Sequence, residues 1–415
     1  MNNLFIANAH IVTPLGNKAL KGHAMRQLHD IPSGCIKIKD GLIVDIGTNL
    51  VNEEDYPLLD AKNHLVLPGF VDSHTHLIFG GYRPDEFMWR MRGDSYMSIM
   101  QRGGGIINTV TATRSASFQE LLDKARYSLE VMSQMGVTTV EGKSGYGLDK
   151  DTEIKQLQVI KAINEDPDRV IDLVPTFLGA HALPSEYKNN PDAYIDFLIK
   201  EMLPLIKENK LAEICDVFCE KGVFDIDQSR RLLEEAKEQG YLIKLHADEI
   251  VSFGGAELAS DLKALSADHL LHVSDQGIKS LSESGVIATL LPLTAFVLKE
   301  PYARGRDMID SGCAVALASD FNPGSCFSSS IPLIIALSCL YMNLSIEETI
   351  TALTLNGAAA LNKGDVIGSI EIGKKADIII FSVNSINMLP YYTGMNAVKT
   401  VIKAGRILRH RSCEK

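Results

Sequence analysis

The first residues from which chemistry can be argued are His74 and His76, separated by one threonine in the run Asp72, Ser73, His74, Thr75, His76. Side chains two apart on a strand point the same way, so both imidazoles can meet one ion where the strand ends. Alone, the pair is equally the mark of ordinary buried or surface histidines. Further along, KLHADE supplies His246 and Glu249, SADHL supplies His269 and LASDFNPG supplies Asp320, each at the end of an apolar run. Placing four histidines and two carboxylates at successive strand ends is costly unless the groups are used. Neutral imidazoles with a carboxylate suit a borderline ion such as zinc or iron. Such an ion lowers the pKa of water toward neutrality, which is hydrolytic chemistry.

The elements that must position these groups follow from the hydrophobic pattern. From about residue 70 to 370, short apolar runs alternate with helical segments. The strand candidates are GFVDSHTH, GVTTVEG (136–142), VIDLVPTFLG (170–179), AEICDVFC (212–219), YLIKLHAD (241–248), LKALSADHL (262–270), GVIATLLP (285–292) and CAVALASD (313–320). SFQELLDKARYSLEVMSQM, DIDQSRRLLEEAKEQG and GIKSLSESG read as helices between them. Eight strands in this alternation is a barrel count. A doubly wound open sheet fits less well, because it gathers its ligands where the strand order reverses rather than at strand after strand. Both termini read as hairpins: LFIANAHIV and CIKIKDGLIVDIG, with an Asp40–Gly41 turn, at one end, and KKADIIIFSVNS and AVKTVIKAGRILR at the other. Pro68 and Gly69 mark the first boundary. The expected division is therefore 1–67 and 371–415 forming one composite β domain, with a barrel over 68–370.

The 415 residues are 46% hydrophobic and 22% charged, ordinary globular usage. A net charge of -11 disfavours a phosphate backbone, so no nucleic-acid partner is expected. The basic residues Lys403, Arg406, Arg409 and Arg411 read as the solvated end of the chain. The seven cysteines are scattered, and the Cys215/Cys219 pair lacks a second pair to complete a metal site, so they read as free thiols of a reducing compartment. The N-terminus MNNLFIANAHIV lacks the features of a secretion signal, and the longest apolar runs are too short to span a bilayer. A cytoplasmic protein without membrane partners is expected. The glycines around Arg102, Gly103, Gly104 and Gly105 do not match a phosphate-binding spacing; a lid or tight turn near the barrel mouth is the better reading.

GFVDSHTHLIFGG, EGKSGYGLDKDTE, FLGAHALP, KLHADE, SADHL and SDFNPGS together resemble the imidazolonepropionases, a family of the amidohydrolase superfamily. The resemblance spans nearly the whole chain, and KSGYGL with DFNPG is its most family-specific part. It implies an α/β fold, a distorted (β/α)8 TIM barrel of amidohydrolase type with a small β-sandwich formed by both termini. It also implies one Zn(2+) or Fe(3+) per subunit held by His74, His76, His246 and Asp320, with Glu249 and His269 doing proton work beside it. Arg83, Tyr146, His181 and Glu249 would contact the substrate, and Asn322, Gly324 and Ser325 would form the loop holding the open-ring side of the ligand. The implied reaction opens the cyclic amide of 4-imidazolone-5-propanoate to N-formimidoyl-L-glutamate, and a homodimer is implied.

Arg83 has a physical reason in this picture, since a guanidinium can grip the substrate carboxylate with two prongs; Arg90 and Arg92 are its neighbouring alternatives. Lys143, which in some relatives bridges two metals as a carbamate, reads here as a charged group behind the site. The sequence departs from the family at Cys326 and Phe327, which puts the path of that loop in question, and at 18–30, which reads as a surface insertion. A guanine or cytosine deaminase shares the metal motifs but needs no cation for a neutral base. A barrel retained only for binding should have lost a ligand, and none is missing.

Overall fold

The computed structural model describes residues 2–94, 102 and 104–410. Gly103, Arg411 and Cys413 therefore lie outside the described residues.

The chain begins with β1 (Leu4–Thr13), β2 (His29–Lys39), β3 (Leu42–Gly47), β4 (Leu58–Asp60) and β5 (Leu65–Pro68). The β2–β3 hairpin turns at Asp40 and Gly41, with φ of 51° and 81°, the left-handed pair that a tight hairpin requires. Gly69 then links β5 to the first strand of a second sheet. That sheet runs β6 (Phe70–Asp72), β7 (Val137–Lys143), β8 (Asp172–Ala180), β9 (Ile214–Cys219), β10 (Leu242–Ala247), β11 (Ser266–His269), β12 (Ile287–Leu290) and β13 (Val315–Leu317). Each strand pairs in parallel with the next. All eight expected strands are present, in the expected order.

Helices fill the crossovers where amphipathic runs carry caps. Phe118–Ser133 starts on a reciprocal box between Ser117 and Glu120, and Ile226–Glu238 on one between Asp225 and Gln228. The ring closes irregularly. Between β13 and β6 the contact is a single bridge of Thr75 with Phe321, helped by Asp320 N–H to His74 O (3.0 Å) and His76 N–H to Phe321 O (2.9 Å). Asp72 adds a side-chain staple, accepting from the Ser319 backbone at 2.9 Å and hydroxyl at 2.5 Å. This closure lies at the metal-binding motif, so the barrel's distortion and its chemistry share the same residues.

β14 (Ile378–Phe381), β15 (Val398–Lys403) and β16 (Arg406–His410) return to the first sheet, in the order β16-β15-β14-β5-β1-β2-β3 with β4 on β1. The two termini thus make one small mixed sheet with its own isoleucine-rich core, including Ile6, Ile36, Ile38, Ile378, Ile380 and Ile402. The six described cysteines are free. No described helix is long and apolar enough to cross a membrane.

Two expectations are corrected. The segment 18–30 is not a surface insertion: a short helix, Gly22–Arg26, buries Met25 completely, Met25 O accepts from Thr351 Oγ1 at 2.8 Å, and Arg26 pairs with Glu348. Apolar Met25 is what anchors it, and the charged residues around it disguise that role. Nor is the basic stretch at the C-terminal end simply solvated. Lys403 is buried and reaches Asp377 at 2.6 Å and Asp172, on barrel strand β8, at 2.8 Å, while Arg406 pairs with Asp168. A buried ammonium is tolerated there because two carboxylates meet it.

Burial alone would raise the Asp172 carboxyl, but Lys403, Lys375 and Arg169 hold it well below the usual carboxylate range. A depressed carboxylate stabilises the fold above its unfolded pKa, and that contribution is lost as pH falls through the folded value. Lys403→Met should therefore cost about 3 kcal/mol near neutral pH, read by urea unfolding. The difference from wild type should shrink as pH falls below about 4, where Asp172 of the unfolded chain begins to take up its proton and the depressed native carboxylate loses its advantage.

Candidate metal centre and active site

His74 and His76 lie just past β6, His246 on β10, His269 at the end of β11 and Asp320 just past β13, so the closed ring brings together side chains up to 246 positions apart. They converge at the C-terminal ends of the strands, where barrel enzymes build their sites. His74 Nε2 lies 3.3 Å from His76 Nε2, which lies 3.3 Å from His246 Nε2. Asp320 Oδ1 is 3.6 Å from the first and 3.5 Å from the second.

His76 Nε2 carries either one proton or one lone pair, so it cannot hydrogen-bond well to both neighbours at once. Burial first, then neighbouring charges, push the His74 and His76 pKa values well down. Neutral imidazoles facing one another through Nε2 suit donation to a shared ion. Donors about 2.0–2.1 Å from a tetrahedral ion sit roughly 3.3–3.4 Å apart, which is the spacing found. The buried triads His74/His76/His246 and His74/His269/Asp320 each bring their donor atoms within 4.8 Å, so the donor set fits a single metal ion.

The ligand candidates are held from behind. His74 Nδ1 lies 2.6 Å from Asp268 Oδ2, and His246 Nδ1 lies 3.1 Å from Asp216 Oδ2, off the direction of a good hydrogen bond. Thr294 Oγ1 donates to Asp320 Oδ2 at 2.7 Å, leaving Oδ1 turned toward the histidines. Beneath them Lys143 Nζ meets Asp216 at 2.6 Å and Glu141 at 3.0 Å, and Lys244 Nζ meets Glu141 at 2.8 Å and Asp268 at 3.1 Å, all fully buried. Burial alone would lower the Lys143 pKa, but Asp216, Glu141 and Asp268 together raise it. An ammonium so held cannot be the free amine a carbamate requires.

Glu249 and His269 face each other, with Oε1 3.6 Å from Nδ1. Glu249 sits in a turn fixed on both sides. Asp248, at φ 50°, accepts from the backbone of Phe253, Gly254 and Ala256, and Glu220 accepts from Ile250 N–H at 2.8 Å. Burial, then Asp320 and Glu220, push the Glu249 carboxyl up to about 8. His269 and Asp320 have φ of 77° and 52°, backbone that non-glycine residues seldom adopt and that the packing around a site must hold.

Every other expected site residue opens onto one cavity of 660 Å³, lined by His76, Arg83, Tyr146, His181, His246, Glu249, His269, Asp320, Asn322, Gly324 and Ser325. His74 lies beneath its floor. Tyr146 is carried by a turn whose backbone donors at Gly145, Gly147 and Leu148 are all taken by Glu153. At Gly145, with φ 107°, a Cβ would come within 2.8 Å of Leu178 O. His181 Nδ1 is 2.9 Å from Gly145 O, so it carries the proton and Nε2 is left as an acceptor. Asn322 spends its side chain on its own loop: Oδ1 accepts from Gly324 and Ser325 N–H, both at 2.8 Å, and Nδ2 donates to Asp320 O at 2.7 Å. Cys326 is buried in that loop, whereas Phe327 is exposed and packs edge-on against Phe79 and Tyr82. Arg92 is exposed.

Sequence reasoning missed Glu141, Asp216, Lys244, Asp268, Thr294 and Glu86. The available signal was a charge inside an apolar strand, as in ICDVFC and LIKLHA, since such a charge must find a partner in the barrel.

A closed parallel barrel with a buried imidazole and carboxylate cluster at its strand ends defines a metal-dependent hydrolase of the TIM-barrel type. The model of the Amidohydrolase family matches residues 65–408. The imidazolonepropionase of Phocaeicola vulgatus is 67% identical over 409 residues, covering 98% of this chain and 99% of that protein. That of Clostridium tetani is 53% identical over 416 residues, 99% of each chain. Among solved structures, 5-methylcytosine deaminase from Klebsiella pneumoniae, liganded with 5-fluorocytosine, matches with a TM-score of 0.76 at 17% identity over 99% of this chain and 98% of that one; at that identity the likeness is of fold alone. The chain belongs to the amidohydrolase family and, within it, to the imidazolonepropionases.

Thr294→Val keeps the shape of the residue and removes its hydrogen bond to Asp320. The expected result is an affinity for zinc roughly tenfold weaker in chelator competition, with near-native thermal unfolding of the metal-free protein.

Proposed function

We propose that the chain hydrolyses the ring amide of 4-imidazolone-5-propanoate to N-formimidoyl-L-glutamate, the ring-opening step of histidine degradation. The observation that carries this reading is the 67% identity to an imidazolonepropionase across 98% of the chain. It is supported by the cavity's chemistry, since guanidiniums and imidazoles line the same space. A neutral nucleobase would leave the Arg90 charge on this lining without a partner.

In this reading His74, His76, His246 and Asp320 hold one ion, zinc or iron. When bound, it supplies a Lewis acid that polarises the ring carbonyl and lowers the pKa of water toward neutrality. Glu249 accepts a proton from the attacking water and returns it to the ring nitrogen as the carbon–nitrogen bond breaks. Its carboxyl lines the cavity beside His269, where one group can both take and give the proton. The two ring nitrogens of His269 have no hydrogen-bond partner among the described residues, which leaves them to orient the water and the developing oxyanion. Their division of labour rests on this geometry: Glu249 reaches toward the cavity, and His269 sits among the ligand histidines, with ring centroids 5.2 Å from His74 and 5.1 Å from His246.

Tyr146 and His181 flank the ring, the His181 Nε2 acceptor facing its polar edge. Arg83 stands beside the propionate, and the Asn322–Ser325 loop presents the polar groups that receive the opened product. The free cysteines suit a reducing, cytoplasmic setting, and a homodimer is the expected assembly.

NMR of freshly made substrate, with the metal-loaded protein against buffer and metal-stripped protein, should show rapid metal-dependent appearance of N-formimidoyl-glutamate. No acceleration by fully loaded protein would remove the substrate assignment. Glu249→Gln should lower kcat by about 10²- to 10⁴-fold at unchanged metal content. At Gly324 a Cβ would come within 2.1 Å of Arg83 Nη1. Gly324→Ala should therefore fold normally, because a flexible side-chain end can move, yet raise KM by displacing the guanidinium.

A further inference from the structure

Arg83, Glu86 and Arg90 stand at i, i+3 and i+7, along one face of the helix Pro84–Met91 and its N-terminal cap, and all three line the active-site cavity. Their charges are not shared evenly. Arg83 gives Nε and Nη2 to Glu86 Oε2, at 2.9 and 2.6 Å. Glu86 is buried and also accepts from Gly105 N–H and Asn108 Nδ2, so it is fixed in place and Arg83 is neutralised by it. Arg90 belongs to no ion pair among the described residues. Its Nη2 donates to Gly324 O at 3.1 Å, and its buried Nη1 has no partner. Asp94, the next acidic group along this wall, is engaged by Arg102 at 2.8 Å. Glu300, elsewhere on the lining, forms no ion pair with either arginine among the described residues. The group of Arg83, Glu86 and Arg90 thus carries one excess positive charge, and it is Arg90's.

We propose that Arg90 is the residue that supplies this unmatched charge to the substrate's carboxylate, with Arg83, oriented by Glu86, offering its remaining Nη1 beside it; this rests on the function proposed above. The two guanidiniums meet at Gly324, Arg83 Nη1 against its missing Cβ and Arg90 Nη2 on its carbonyl. A carboxylate that draws Arg90 Nη1 out to the cavity gives this buried donor the acceptor it lacks, and such a charge-assisted bond discriminates strongly against ligands without the charge.

The test uses the metal-loaded protein with two probes, 3-(imidazol-4-yl)propanoate and its carboxamide, bound to wild type, Arg90→Met, Arg90→Lys and Arg83→Met. The expected result is that Arg90→Met weakens the propanoate about 10- to 100-fold and leaves the carboxamide unchanged, while Arg90→Lys recovers part of the loss. Carboxamide binding reports that each variant is folded. Equal weakening of both probes would overturn the proposal, since Arg90 would then only support the Gly324 loop. Unchanged binding of both in Arg90→Met, with preference lost in Arg83→Met, would overturn it in favour of Arg83. Wild-type ring opening of imidazolone propanoate, run alongside, separates the two levels. If it proceeds, those outcomes remove Arg90 alone; if it fails and wild type does not prefer the propanoate, the carboxylate substrate and Arg90 fall together.

Discussion

Two ammonium groups and three carboxylates lie inside the barrel with no exposure to solvent, and their mutual neutralisation is the constraint on which the site depends. Lys143 and Lys244 are shared among Glu141, Asp216 and Asp268 at 2.6 to 3.1 Å. Burial of any one of these charges alone would cost several kcal/mol, so each strand must stay in register for its partners to meet. Burial would raise the Asp216 carboxyl, yet Lys143 and His246 hold it well down. The two aspartates then face the back of His74 and His246, which turns the Nε2 atoms outward. The buried charges are at once the filling of the barrel interior and the mount for the imidazoles.

The closing seam transmits this order to the mouth. Few backbone contacts join the last strand to the first, and Asp72, accepting twice from Ser319, carries much of the closure. Because Asp320 N–H bonds His74 O and His76 N–H bonds Phe321 O, the first and last ligand candidates are locked to each other by their own backbones. The left-handed φ of Asp320 and His269 is the local cost of turning those side chains inward. The cavity above them is lined both by imidazoles with Glu249 and by the guanidiniums of Arg83 and Arg90.

Much of this was legible from the chain alone. The eight barrel strands announced themselves as apolar runs of strand length, and the imidazoles and carboxylates closing several of them pointed to the site. The Asp40–Gly41 hairpin was equally plain, because its turn residues are required by the backbone. What stayed hidden involved partners distant in sequence. Lys403 looked like a solvated tail because nothing nearby in sequence reveals Asp172, 231 positions away, as its partner. The 18–30 segment looked like an insertion because one methionine among charges gives no periodicity.

The sequence by itself determined which elements form and which residue types cap them, because hydrophobic period, turn chemistry and strand-end polarity are local properties of the chain. Only the tertiary structure decided which charges neutralise one another. Arg83, Glu86 and Arg90 share a helical face in the sequence, but that Glu86 is spent on Arg83 and that Arg90 turns instead to Gly324 depends on a loop more than 200 residues away. Electrostatic pairing is set by distance in space, and distance in space is set by the closure of the barrel.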